Sequence, residues 1–330
     1  MPDTYSTAVL ADSPLAYYRL NEANMANGQS CADSSGNARN GTYTNNGLTA
    51  QYAALGDINK GAIQNTGGTG YVTTGTSAWS NFEYNTPFSI EFWFYSNSPS
   101  ALTAEVEGIQ KGDPIVANVP GFLIQKAASA AYFFSFWLYN KWSTNIKCGG
   151  NFYVAANVNN GAWHHVVATY DGSGVLAGMK VYCDGQLYTS LGGTYDALTS
   201  NTIAGSYPLN IGYYGNGAFL GVGQGLDEVA IYGTALSAAR VLAHYQAAFY
   251  VHTTLVDTSP VNTTQAGITA KWYPITTILA NTPLTTSHRH RATLTSTGAT
   301  IYWSTPNIDA TGAQSGHYGD IVLSSVAVLV

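Results

Sequence analysis

The sequence predicts an all-β protein: an antiparallel sandwich with one short helix near its end, followed by a second, smaller β-domain. Three observations carry this. Apolar and polar residues alternate with period two over several aromatic-rich runs, the spacing of strands with one buried face. Turn formers such as Asp184-Gly185 and the cluster Asp171-Gly172-Ser173-Gly174 punctuate those runs. Helical spacing is nearly confined to residues 236–245.

Residues 1–8 read as an N-terminal arm and residues 9–250 as the sandwich. Phe88 to Phe94 sets Phe88, Ile90, Phe92 and Phe94 on one face, with Ser89, Glu91 and Trp93 on the other. From Ser96 to Pro120 the chain turns polar and reads as a surface loop. Tyr132 to Tyr139 is a second aromatic strand. Trp163 to Tyr170 and Lys180 to Cys183 belong to a meander that runs on to Leu191. Within it Asp184-Gly185 supplies the positive φ angles of a tight hairpin. Leu236 to Tyr245 is the helix: Val241, Leu242 and Tyr245 fall on one side, and Ser237 stands where an N-cap hydroxyl is needed. After Tyr250 the chain becomes Thr-rich and Gly-poor. Residues 251–330 read as a small Thr-rich β-domain for attachment or oligomerisation, with strands at 268–273, 291–295, 299–303 and 321–330.

Only 9% of residues are charged, against roughly 25% in ordinary globular chains. With 45% hydrophobic residues and 24 tyrosines the chain is folded, its surface built from Thr, Ser, Asn, Gly and Tyr. A net charge of -6 and 12 scattered Lys and Arg argue against a nucleic-acid partner. No run approaches the roughly 18 apolar residues of a membrane span, so no membrane insertion is expected. The opening Met-Pro-Asp-Thr-Tyr has neither the basic nor the apolar region of a signal peptide. Cys31, Cys148 and Cys183 are odd in number and lack Cys-x-x-Cys spacing. They predict reduced thiols and no zinc site, with a Cys148–Cys183 bridge as the alternative.

Several of these segments, in this order, resemble the laminin-G-like family of the concanavalin A-like lectin/glucanase superfamily. Ser13 to Glu22 is similar to the family's opening strand, and Asp33 to Thr42 to its first polar loop. Phe88 to Phe94 resembles the central strand, and Trp163 to Gly172 the best-marked one. Gly225 to Tyr232, followed by Ala235-Leu236-Ser237, completes the pattern, which stops before residue 251. The resemblance implies a jelly-roll sandwich that recognises glycans or proteins. A lectin-like sandwich with a short extra β-domain and no signal peptide also resembles phage tail or head-fibre components. The expected setting is therefore a virion surface (extracellular is the alternative). Expected partners are other virion proteins of the capsid or tail, host-surface glycans, and further copies of the chain in a homo-oligomer. A decorating subunit without glycan affinity, or a bacterial secreted carbohydrate-binding module, are the rival readings.

Site expectations follow. Calcium wants six to eight oxygen ligands, and many members of the resembled family hold it between the first polar loop and the last strand. By position that implies Asp33 and Asp227. No Glu-x-Asp-x-x-Glu, which a retaining glycosidase of the superfamily would carry, occurs here, and no enzymatic role is expected. Glu105 and Glu107 share a side but fall in the polar segment, and Glu91 reads as a satisfied sheet residue. His164 and His165 point to opposite faces and cannot jointly chelate a metal. His288 and His290 share a face and would do so only across a threefold axis. Sugar contacts need aromatic faces beside hydrogen-bonding groups: Trp142 with Asn140 and Asn145, and Tyr213 and Tyr214 with Asn216.

Overall fold

The computed structural model describes residues 4–44, 47–50, 61–64, 69–76, 78–96, 106–114, 118–126, 133–154, 158–189, 191–214 and 218–248, and beyond these only strand residues between 263 and 315. The chain divides into two compact units, Met1–Tyr250 and Val251–Val330.

In the first unit, α1 (Thr4–Ala11) leads into β1 (Ala16–Tyr18), β2 (Ser30–Cys31), β3 (Gly41–Thr44), β4 (Leu48–Ala50), β5 (Ala62–Gln64) and β6 (Tyr71–Thr73). The long strands follow: β7 (Phe88–Ser96), β8 (Val106–Asp113), β9 (Val119–Lys126), β10 (Phe133–Lys141), β11 (Ile146–Tyr153) and β12 (Trp163–Tyr170). Then come β13 (Met179–Cys183), β14 (Gln186–Tyr188), β15 (Leu191–Asp196), β16 (Leu209–Ile211), β17 (Tyr213–Tyr214), β18 (Ala218–Phe219), β19 (Gln224–Tyr232) and α2 (Ala238–Ala247). Two sheets result. One runs β14-β13-β12-β7-β19-β5-β4 with β1 on β19, and the other runs β15-β11-β10-β9-β8-β16-β6-β3-β2. Their facing surfaces meet in one large core that includes Phe88, Ile90, Phe92, Phe94, Phe122, Phe134, Phe136, Val166 and Ile231. The alternation in the sequence selects these residues, because each strand turns every second side chain inward. The jelly-roll sandwich expected from the sequence is the observed fold.

Two features differ from the expectation. The supposed surface loop holds β8, which pairs with both β9 and β16 and buries Ile109. Its signal was masked because the neighbouring buried residues are polar: Gln110, Lys111 and Asp113 are at most 3% exposed. Lys111 satisfies its ammonium by donating to the Tyr207 carbonyl at 2.6 Å, and burial lowers its pKa to about 8. The N-terminal arm is in fact the start of α1, which crosses residue 8 and buries Tyr5 and Val9, an i, i+4 pair. The cysteines match the first reading rather than the bridged alternative: Cys148 rests against Met179 and Asp196, and all three are buried and free.

The outer face of the first sheet is closed by the two helices. Ser237 caps α2 through the Arg240 amide, as expected. Beneath the helices Tyr5, Tyr17, Trp93, Val167, Tyr182, Tyr232, Leu236 and Val241 form a second core. At its centre sits Glu91, fully buried, accepting from Tyr5 Oη at 2.8 Å, Tyr232 Oη at 2.6 Å, His165 Nε2 at 2.7 Å and His244 Nδ1 at 2.9 Å. His244 Nε2 faces Asp12 at 2.9 Å, and Arg240 pairs with the same carboxylate at 2.8 Å. Burial alone would push the Glu91 pKa up, but the His244 charge and the histidine hydrogen bonds outweigh it and hold it well below the usual range. Burial would likewise depress His244, and Glu91 and Asp12 together raise it instead. This network fastens both helices to β7 and β12.

In the second unit, strand pairs are Thr263–Gln265 with Ile268–Ala270, Arg289–Thr293 with Thr300–Ser304, and Asn307–Ile308 with Gln314–Ser315. His288 and the predicted strand at 321–330 lie outside the described residues.

Candidate functional site

The strongest concentration of ligand-type groups lies on the outer face of the second sheet. Trp137 and Tyr139 on β10, Leu123 on β9 and Lys147 on β11 all point away from the main core. They do so because Phe136, Leu138 and Cys148, their sequence neighbours, point inward. Trp142 follows in a single 3₁₀ turn, Trp142–Thr144, closed by Asn145 in the left-handed region. Its indole meets Trp137 edge-on at 5.3 Å and Tyr139 at 5.7 Å. The Lys147 ammonium lies 3.9 Å from the Trp142 ring centre, 4.1 Å from Tyr195 and 5.3 Å from Trp137. Cation–π attraction thus fixes three rings around one charge, and burial lowers the Lys147 pKa.

Gly149 makes this packing possible. It stands between Trp137 on β10 and Tyr195 on β15 in one cross-strand row. A Cβ there would come within 2.2 Å of the Phe136 carbonyl and 2.8 Å of the Trp137 ring, at a φ of +143°. Without a side chain at 149, Trp137 and Tyr195 approach to 6.1 Å over the glycine. Tyr195 stays 39% exposed and Trp142 half-buried, so these two members of the cluster reach solvent. Ser143, Thr144 and Asn145 beside it are exposed, and Asn140 is tied to the Thr202 carbonyl.

Of the residues expected from the sequence, Trp142 is in this cluster. Tyr213 is not part of it: it stacks on Tyr71 at 4.8 Å. Tyr214 continues β17, its side chain and all of Asn216 lying outside the described residues. Trp137, Lys147 and Tyr195 were missed. They are spread over three strands, and only the sheet register brings them together. A groove of about 440 Å³ lined by 23–26 and 47–50 holds neither an aromatic nor a titratable side chain.

The calcium pair fares differently. Asp33 Oδ1 accepts from the Tyr17 and Ser35 amides, and Oδ2 from the Arg39 amide and Ser35 Oγ, all within 2.8–2.9 Å. Four donors aimed at one carboxylate do not fit a cation, which would face their hydrogens. Asp33 therefore organises the loop as an Asx turn. Asp227 is fully buried in β19 and accepts from the Glu228 amide. β1 separates the two, bridging Asp33 on one edge and β19 on the other. We expect Asp33→Ala to cost roughly 1–3 kcal/mol by orphaning these donors, and calcium or a chelator to leave the melting midpoint unchanged. Differential scanning calorimetry reads both. Glu105 lies outside the described residues, as does the side chain of Glu107.

A jelly-roll sandwich of two antiparallel sheets is the fold of the lectin-like class. The chain belongs to the concanavalin A-like lectin/glucanases superfamily: residues 66–242, more than half of it, match that family. Among solved structures it resembles the binding domain of paraclostridial mosquitocidal protein 1, at 14% identity and TM-score 0.51 over 73% of this chain and 53% of that one. The botulinum neurotoxin serotype D/C binding domain is similar at 17% identity and TM-score 0.49, over 73% and 53% of the two chains. This chain spans about half the length of either, and at such identity the likeness concerns the fold alone. No curated protein matches.

Proposed function

We propose that the chain is a non-enzymatic binding protein that takes carbohydrate on the platform of Trp142, Tyr195 and Lys147. The observation that carries this is the open aromatic cluster held rigid around the Lys147 ammonium. Sugars present C–H faces that pack on rings and hydroxyl edges that need donors and acceptors. Here the rings supply the first, and the exposed Ser143, Thr144 and Asn145 the second. The reading extends to display on a virion surface, with residues 251–330 joining the sandwich to other virion proteins or to further copies. Its support there is the two-unit division and the sparsely charged composition.

The test is a glycan array probed with the full chain, in calcium and in chelator. Saturable binding that persists in chelator is expected, because Asp33 is already satisfied by the protein. A folded chain that binds no glycan would favour the decorating role.

A further inference from the structure

Away from the platform, the β12–β13 hairpin gathers His164, Cys183 and Asp184, whose ligand atoms all lie within 4.8 Å of one another. Register explains the convergence. Val166 pairs with Cys183, so His164, two residues earlier on the same face, reaches toward the turn where Asp184 sits. Asp184 adopts φ 51° and Gly185 φ 74°, the tight turn that the Asp-Gly pair predicts.

The hydrogen bonds around His164 leave a mismatch. Asn160 Oδ1 accepts from the Ala162 amide at 2.8 Å, which identifies it as the oxygen. His164 Nε2 lies 3.1 Å from that oxygen and must donate to it. In the neutral ring the remaining nitrogen, Nδ1, is then a bare lone pair, yet it faces the Asp184 Oδ2 at 2.7 Å. Two acceptors at this distance need a proton between them, and a tetrahedral metal would replace that proton with the two atoms moved apart to about 3.3 Å. The other carboxylate oxygen, Oδ1, is held by the His165 amide at 2.9 Å, so Oδ2 is aimed and not free to turn. Both first ligands thus carry the outer hydrogen bonds that orient metal-binding histidines and carboxylates.

We propose that His164 Nδ1, Cys183 Sγ and Asp184 Oδ2 form a site for a divalent transition metal of the zinc type. An imidazole, a thiol sulfur and a carboxylate are a donor set that zinc favours, with water as the fourth ligand. The Asp184 side chain is 28% exposed and gives the ion its route in, while His164 at 7% and Cys183 at 1% enclose it. Binding would release the thiol proton and any proton on Nδ1, so the metal holds more tightly as pH rises. The site is invisible to Cys-x-x-Cys spacing because its ligands come from both strands of one hairpin.

Cobalt(II) titration of the full chain tests this. The expected result is one ion per chain with a thiolate-to-metal charge-transfer band, displaced by zinc. Cys183→Ala should abolish the band. Asp184→Asn keeps an Asn-Gly turn and an Oδ1 acceptor, so it should fold normally, yet bind cobalt at least tenfold more weakly. Absence of cobalt binding, binding without the thiolate band, or equal binding by Cys183→Ala would each overturn the proposal. The last would place the ion elsewhere in the chain.

Discussion

Replacing Glu91 by alanine should remove most of the stability of the sandwich, about 3–5 kcal/mol. Four donors converge on this carboxylate from α1, β12, β19 and α2, all of them buried. Without it Tyr5, Tyr232 and His165 lose their acceptor in a dry interior, and the His244 charge keeps only Asp12. The helices should then detach before the two-sheet core melts, so hydrogen exchange at the α1 and α2 amides should quicken at lower denaturant than exchange at the β10 and β11 amides. A variant as stable as the parent would show that the network does not hold the helices. The pH dependence follows from the same groups. Glu91 has a depressed pKa, so its contribution is present above the ordinary carboxylate range and fades as pH falls through the folded value. His244 has a raised pKa, so its contribution is complete below about 6.5 and lost as pH climbs through the higher folded value. Urea midpoints should therefore decline from mildly acidic toward alkaline pH, and Glu91→Ala should flatten that decline.

Gly149→Val is expected to cost ~3 kcal/mol or more and to dismantle the platform at once. Its Cβ would strike the Phe136 carbonyl and the Trp137 ring, and valine tolerates a φ of +143° poorly. Backbone collisions cannot be relieved by a side-chain rotation, so β10 and β11 must part and Trp137 must leave its place over the glycine. Near-UV circular dichroism and the thermal midpoint should both fall. A valine variant with parental spectra would mean that the three rings need no glycine beneath them.

Much of the fold was legible because it rests on local rules. Phe88 to Phe94 turns every second residue into the core, Asp184-Gly185 turns as those residues demand, and Ser237 caps the helix it precedes. β8 was hidden because its buried residues are polar and find partners only in the folded state, as Lys111 does at Tyr207. α1 left one trace, the spacing of Tyr5 and Val9, too little to distinguish a helix from an arm. The binding platform was legible only through Trp142. Its other members, Trp137, Lys147 and Tyr195, read singly as strand residues, and their meeting depends on the β10–β11–β15 register. At Asp33 a loop rich in oxygen suggested a cation, while the backbone amides that meet its carboxylate carry no signal in the sequence.

In the proposed function the Trp142 and Tyr195 rings around Lys147 receive a sugar. Isothermal titration of the full chain with the strongest array glycan, beside Trp142→Ala, tests it most directly. Trp142→Ala is expected to lower affinity at least tenfold, about 1.4 kcal/mol, while the protein stays folded by calorimetry. Equal affinity for parent and variant would place the sugar elsewhere and contradict the assignment.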